Sequence, residues 1–179
     1  MIDVDATLLL LHDYRLRFPE DDALVGELIG KLRSNGTTFF NRANDRGHIT
    51  CGAVLVDEQQ RVLLIRHNTL DSWLTPGGHV ESSDKSLEQA ARRELAEETG
   101  IRNGLAAVLR TPVQIDRHTI PHNDRKGEGE HDHWDLRFLF KFTSGEVSLQ
   151  FNEVSAYKWC ALSTLPRALG RRVQAFLGP

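Results

Sequence analysis

Cysteine is scarce in this chain: 179 residues carry two, Cys51 and Cys160. Neither has metal-ligand spacing, and each sits in an apolar run. Two reduced core thiols are expected, which leaves no disulfide scaffold and no thiol nucleophile. A long apolar span is missing as well. Residues 8–11 are all leucine, but the run is short and no basic segment precedes it. The sequence therefore offers neither a signal peptide nor a membrane segment, and a cytoplasmic location is expected. Positive charge is not in excess, since 22 Lys and Arg against 25 Asp and Glu leave a net charge of −3. That balance speaks against a surface that tracks nucleic-acid phosphates, whereas a local positive patch and a metal can still hold a small phosphorylated substrate. Internal repeats and extended low-complexity segments are absent. What remains, 40% hydrophobic and 26% charged, suits one compact domain with an appendage.

The appendage lies at the N-terminus. Residues 6–18 and 21–32 have helix-like apolar spacing, separated by Pro19 and ended by Asn35-Gly36, so a helical hairpin is expected over residues 1–47. Its many acids, Asp3, Asp5, Asp13, Glu20, Asp21, Asp22 and Glu27, make it a poor DNA reader. Packing on the rest of the chain or at a homodimer interface suits it better. Residues 49–56 and 61–66, joined by Asp57-Glu58-Gln59-Gln60, read as a hairpin of largely buried strands. Further strands are expected within 106–118 and over 135–142, 147–149 and 156–162, with Ser163 capping a final helix. Residues 48–179 thus read as an α+β domain with a mixed sheet between helices.

The most informative stretch runs from Gly77 to Gly100. Ser86 and Gln89 have the capping-box pattern and Gly100 stands where helices commonly end, which predicts one helix over 87–99. At about 100° per residue, Leu87, Ala90, Ala91 and Leu95 form an apolar stripe, with Gln89, Arg92 and Ala96 opposite. Glu94, Glu97 and Glu98 fall within or beside the stripe, where an unpaired carboxylate costs several kcal/mol or protonates. A solvated helix laced with pairs such as Arg93–Glu97 would be the ordinary explanation. The spacing i, i+3, i+4 instead lets the three carboxylates converge, and hard ions such as Mg²⁺ or Mn²⁺ prefer oxygen ligands. Arg93 is placed to orient one of them. Upstream, Gly77 and Gly78 lack side chains and so let backbone approach a ligand or metal closely.

These residues resemble the signature of the Nudix hydrolases, a loop-helix-loop with a glycine turn and an Arg-Glu-apolar-x-Glu-Glu-x-Gly-apolar end. Arg93-Glu94-Leu95-Ala96-Glu97-Glu98-Thr99-Gly100-Ile101 matches that end throughout. The span from Gly78 to Arg93 is one residue longer than the family's, and Asp84 or Lys85 stands near its upstream Glu position. Likeness extends from residue 49 to about residue 162. The resemblance implies an α/β/α sandwich with a mixed sheet. It also implies a Mg²⁺- or Mn²⁺-dependent pyrophosphohydrolase acting on a nucleoside diphosphate linked to another group. Glu94, Glu97, Glu98 and the Gly77 carbonyl would be metal ligands. Glu97, Glu98, or an acid from a later loop, Glu128 or Glu130, would be the base. A binding module that senses a nucleotide without hydrolysis, and an isopentenyl-diphosphate isomerase-like enzyme, are the competing implications of the same fold.

A second stretch, residues 114–138, has a polar, glycine-containing middle and reads as a long loop over a site or a plain connection. Beyond it, His131, His133, Asp135 and Arg137 would share one strand face, with Trp134, Leu136, Phe138 and Phe140 on the other. The polar face suits either substrate phosphates and ribose or a metal held by the two histidines and the aspartate. It resembles a Nudix subgroup with an N-terminal extension and a His-x-His-x-Asp strand. Arg125 and Lys126 are candidate phosphate contacts, with Gly78 and His79 on the glycine turn, where His79 reads equally as a structural histidine. Trp73 reads as a stacking platform or a closure of the core edge, and Glu81 and Glu153 are further acids near the expected site.

Overall fold

Each helix of the structure, a computed structural model that describes residues 1–123, 127–150 and 153–178, has a local reason for its ends. Helix α1, Val4–Arg17, opens on Asp3, whose Oδ1 accepts the Ala6 N–H at 2.7 Å, and stops before Pro19. Helix α2, Asp22–Asn35, ends at Gly36, whose φ of +56° is the left-handed conformation glycine tolerates. Leu11, Tyr14, Val25, Leu28 and Leu32 are fully buried along this pair, as its apolar spacing predicts. Helices α3, Leu87–Thr99, and α4, Arg167–Leu177, follow later in the chain. Among the described residues no helix is long and apolar enough to cross a membrane.

Among the described residues eight strands complete the α+β fold: β1 His48–Val56, β2 Arg61–His67, β3 Ser72–Leu74, β4 Gly77–His79, β5 Leu105–Ala107, β6 Gln114–Ile120, β7 His131–Phe142 and β8 Val154–Ala161. They form a mixed sheet with the hydrogen-bonded order β3-β2-β1-β7-β5; β4 adds to β1, β6 to β7 and β8 to β2. The β1–β2 hairpin is closed by Asp57, whose Oδ1 accepts the Arg61 N–H at 2.8 Å, with Gln60 at a φ of +57°.

Two expectations fail. Residues 147–149 form no strand, because their backbone is committed to the end of α3: Ser148 N–H donates to the Thr99 carbonyl at 2.8 Å and Gln150 N–H to that of Glu98 at 3.3 Å. Ser163 caps no helix. It lies in a 3₁₀ turn, Leu162–Thr164, and Pro166 holds Leu165 extended, at φ −71° and ψ 156°, so that α4 begins only at Arg167.

Contacts group the chain into two units. The first is Met1–Cys51, His79–Ala90 and Ile115–Leu136; the second is Gly52–Gly78, Ala91–Gln114 and Arg137–Pro179, its last residue lying outside those described. Within the first, the helical pair is tied to β6. Ile115 N–H donates to the Tyr14 hydroxyl at 3.1 Å, and Arg117 Nη1 pairs with both Glu27 oxygens at 2.6 and 2.7 Å. The core of the second is aliphatic, with Val54, Val56, Val62, Val113, Leu139 and Val173 at its centre.

Candidate active site

Helix α3 is locked at its start by reciprocal bonds: Ser86 Oγ accepts the Gln89 N–H at 3.1 Å, and Gln89 Oε1 accepts the Lys85 N–H at 2.9 Å. Gly100, at φ +71°, ends it, and a Cβ there would lie 2.8 Å from the Ser148 carbonyl oxygen. The predicted stripe of Leu87, Ala90, Ala91 and Leu95 is buried. Ala96, expected on the open face, is buried too, because that face is covered: the Arg92 guanidinium lies 4.5 Å from the Phe140 ring centre.

Gly77 and Gly78, read in the sequence as a turn, open strand β4, and the carboxylates meet them within the second unit. Glu98 is 3% exposed, and its Oε2 accepts the Gly77 N–H at 2.9 Å. Burial pushes its carboxyl up to about 8, against the opposing pull of that amide, and Glu94, Glu153 and Glu97 add repulsion. Glu94 is pushed up to about 7, again by burial first, with Arg93 holding it down and Glu97 and Glu153 raising it. A Cβ on Gly78 would sit 2.7 Å from Glu94 Oε2, so only glycine lets this carboxylate reach the turn. Arg93 Nη1 donates to Glu94 Oε1 at 3.0 Å and to Glu97 Oε2 at 2.8 Å, which leaves the Glu97 side chain half exposed. Glu153, one of the loop acids singled out in the sequence, is near enough to repel both carboxylates.

A divalent ion fits this donor set. Two carboxylates with raised pKa values, Glu98 buried and Glu94 partly buried, stand with Glu97 and one arginine, and Glu98 is compensated by a backbone amide rather than a cation. The three acids of α3 are not closed to ligand spacing, because Arg93 takes Glu97. Among the described residues the group of three ligand atoms within 4.8 Å of one another is His48, His79 and His133. Asp84, near the upstream signature position, is buried, and its Oδ2 accepts the Glu81 N–H at 2.8 Å, shaping the turn between β4 and α3.

The remaining sequence candidates, Trp73 apart, fall in the first unit or outside the described residues. Arg125 and Lys126 lie outside them. Glu128 pairs with Arg42 at 3.0 Å, and Glu130 is exposed. Asp135 accepts from Thr50 Oγ1 at 3.3 Å. His131 and His133 do share one face, their Nε2 atoms 3.2 Å apart, and His48 and His79 join them. His48, which stands 83 residues from His131 (131 − 48), carries no local sequence signal for that meeting. Burial pulls His79 down to about 4 and His133 to about 3, and lowers His48. In the second unit, Lys158 Nζ sits 4.0 Å from the Trp73 ring centre, and that ring packs on the aliphatic core as an edge closure.

The NUDIX domain family model matches residues 46–176. A protein of Lactococcus lactis subsp. cremoris named "Probable DHNTP pyrophosphohydrolase" is 30% identical over 130 residues, which cover 73% of this chain and 75% of that protein. Among solved structures, a MutT NUDIX hydrolase from Burkholderia pseudomallei is similar with a TM-score of 0.51 and 26% identity, over 72% of this chain and 96% of the other. An Ap4A hydrolase from C. elegans, at 23% identity and a TM-score of 0.54 over 72% and 96% of the two chains, has the same fold.

Proposed function

This chain belongs to the NUDIX domain family, and from that membership we propose that it hydrolyses, with a divalent metal, a pyrophosphate bond in a nucleoside diphosphate linked to another group. The observation that carries the reading is the pair of carboxylates, Glu98 buried and Glu94 partly buried, gathered under Gly77 and Gly78 with Glu97 and Glu153 nearby. Glu94, Glu97 and Glu98 would hold the ion, joined by the Gly77 carbonyl. A bound Mg²⁺ or Mn²⁺ would neutralise phosphate oxygens, stabilise the departing phosphate and lower the pKa of the attacking water.

The chain's own residues supply the rest. Glu94 and Glu98 would have to be ionised to hold the ion, so loading should strengthen as pH rises through about 7 and about 8. The Gly77 amide fixes Glu98 Oε2 and Arg93 holds Glu94 Oε1, while Glu97 Oε2, paired with Arg93, would have to leave it to reach the ion. Glu97, the half-exposed member of the set, would take the proton from the attacking water on the carboxylate oxygen it does not give to the ion.

The experiment is a phosphate-release screen over nucleoside diphosphate sugars, ADP-ribose, dinucleoside polyphosphates, coenzymes and nucleoside triphosphates, with Mg²⁺ and with Mn²⁺. The Lactococcus relative's name adds dihydroneopterin triphosphate to the panel. Metal-dependent turnover on one class supports the reading. Tight nucleotide binding with no turnover on any class replaces it with a sensing module.

A further inference from the structure

The histidines of the first unit make a second ligand set, chemically unlike the carboxylates. His48 opens β1, His79 ends β4 and His133 lies in β7. Their ring centres stand 4.7 Å (His48–His133), 5.1 Å (His48–His79) and 5.2 Å (His79–His133) apart. One nitrogen from each falls within 4.8 Å of the other two.

Two details say what this gathering is for. His48 is 1% exposed, and its Nε2 has no hydrogen-bond partner among the described residues. Its Nδ1 faces the Asn44 carbonyl at 3.4 Å. A carbonyl only accepts, so Nδ1 carries the proton and Nε2 presents a buried lone pair, which is costly unless something electrophilic meets it. His131 is oriented beside the cluster: its Nδ1 donates to the Gly129 carbonyl at 2.7 Å, and its Nε2 accepts from His133 Nε2 at 3.2 Å. A buried imidazole lone pair on a ring whose other nitrogen donates to a backbone carbonyl, as at His48, is how proteins hold metal-binding histidines. Packing alone would satisfy the rings' faces but leave the nitrogen of His48 unmet.

We propose that His48, His79 and His133 bind a nitrogen-preferring transition-metal ion, Zn²⁺ foremost, on a ligand set separate from the oxygen donors of α3. Three imidazoles match the donor number of an open zinc site, whose fourth position takes water or a phosphate oxygen. Mg²⁺, which prefers oxygen, does not compete for it.

The test uses the full chain, stripped by chelator and titrated with Co²⁺ as a spectroscopic stand-in for zinc, in excess Mg²⁺. One equivalent of Co²⁺ is expected to give the intense visible absorption of a four-coordinate site, and one equivalent of Zn²⁺ to abolish it. His79→Asn and His133→Asn, each confirmed folded by circular dichroism, should lose the band and weaken zinc binding by at least about 100-fold. Glu94→Gln and Glu98→Gln should keep it. A wild-type protein with no such band overturns the proposal without recourse to any variant. So does a band that survives both histidine substitutions or disappears in Glu98→Gln, since it would then belong to the carboxylates.

Discussion

Glu98 sits at 3% exposure with a carboxyl pushed up to about 8, an arrangement that lowers the stability of the metal-free fold. The folded state holds this proton to higher pH than the unfolded chain, whose value is near 4.5. The penalty is therefore absent below 4.5, grows as pH rises through that window, and is complete above about 8. In chelator, Glu98→Gln should melt higher than wild type, by a margin that widens from mildly acidic to mildly alkaline buffer; a margin independent of pH would contradict this. With metal present the same variant should lose at least about 10²-fold in turnover while remaining folded. Gly78→Ala makes a related prediction, because its Cβ would meet Glu94 Oε2 at 2.7 Å. Displacing the carboxylate should cost about 10²-fold in turnover. Its melting temperature should change little, and unchanged kinetics would show that Glu94 does not need its place under the turn.

The helical pair α1 and α2 depends on a few buried anchors. Leu11, Tyr14, Val25, Leu28 and Leu32 are sealed, while Leu9 and Leu16 stay in water. Tyr14 does more than pack, since its hydroxyl receives the Ile115 N–H and donates to Asp21. Tyr14→Phe strands that backbone N–H in the interior and should cost about 1–3 kcal/mol, read by denaturant unfolding. Deleting residues 1–46 should expose the face they cover and give aggregation or an altered oligomeric state in light scattering. A monodisperse, folded fragment of unchanged assembly would show the pair to be dispensable. Both helices were legible in the sequence because Pro19 and Asn35-Gly36 punctuate them; the false strand at 147–149 was not, because its backbone partners, the Glu98 and Thr99 carbonyls, lie about 50 residues away (148 − 99). Ser163 misled for a local reason, the extended conformation that Pro166 imposes on Leu165.

Over the whole chain, legibility follows the range of the interactions that build each part. The carboxylate set was readable because helical period alone fixes the spacing of Glu94, Glu97 and Glu98, and the glycine turn lies close in sequence. Asp84 looked like a stand-in for an upstream signature acid, and its burial under the Glu81 amide gives it a turn-forming role that spacing cannot distinguish. The histidine set was only partly readable: His133, with its neighbour His131, announces a strand face, whereas His48 and His79 reach it through non-local strand pairing, which no periodicity encodes. The central claim, that the acids of α3 hold the ion for pyrophosphate hydrolysis, is tested most directly by an anomalous difference map from crystals soaked in Mn²⁺. The account predicts a manganese peak coordinated by Glu94 and Glu98, with Glu97 turned from Arg93 towards it. Crystals that turn over substrate while those oxygens carry no manganese would contradict it.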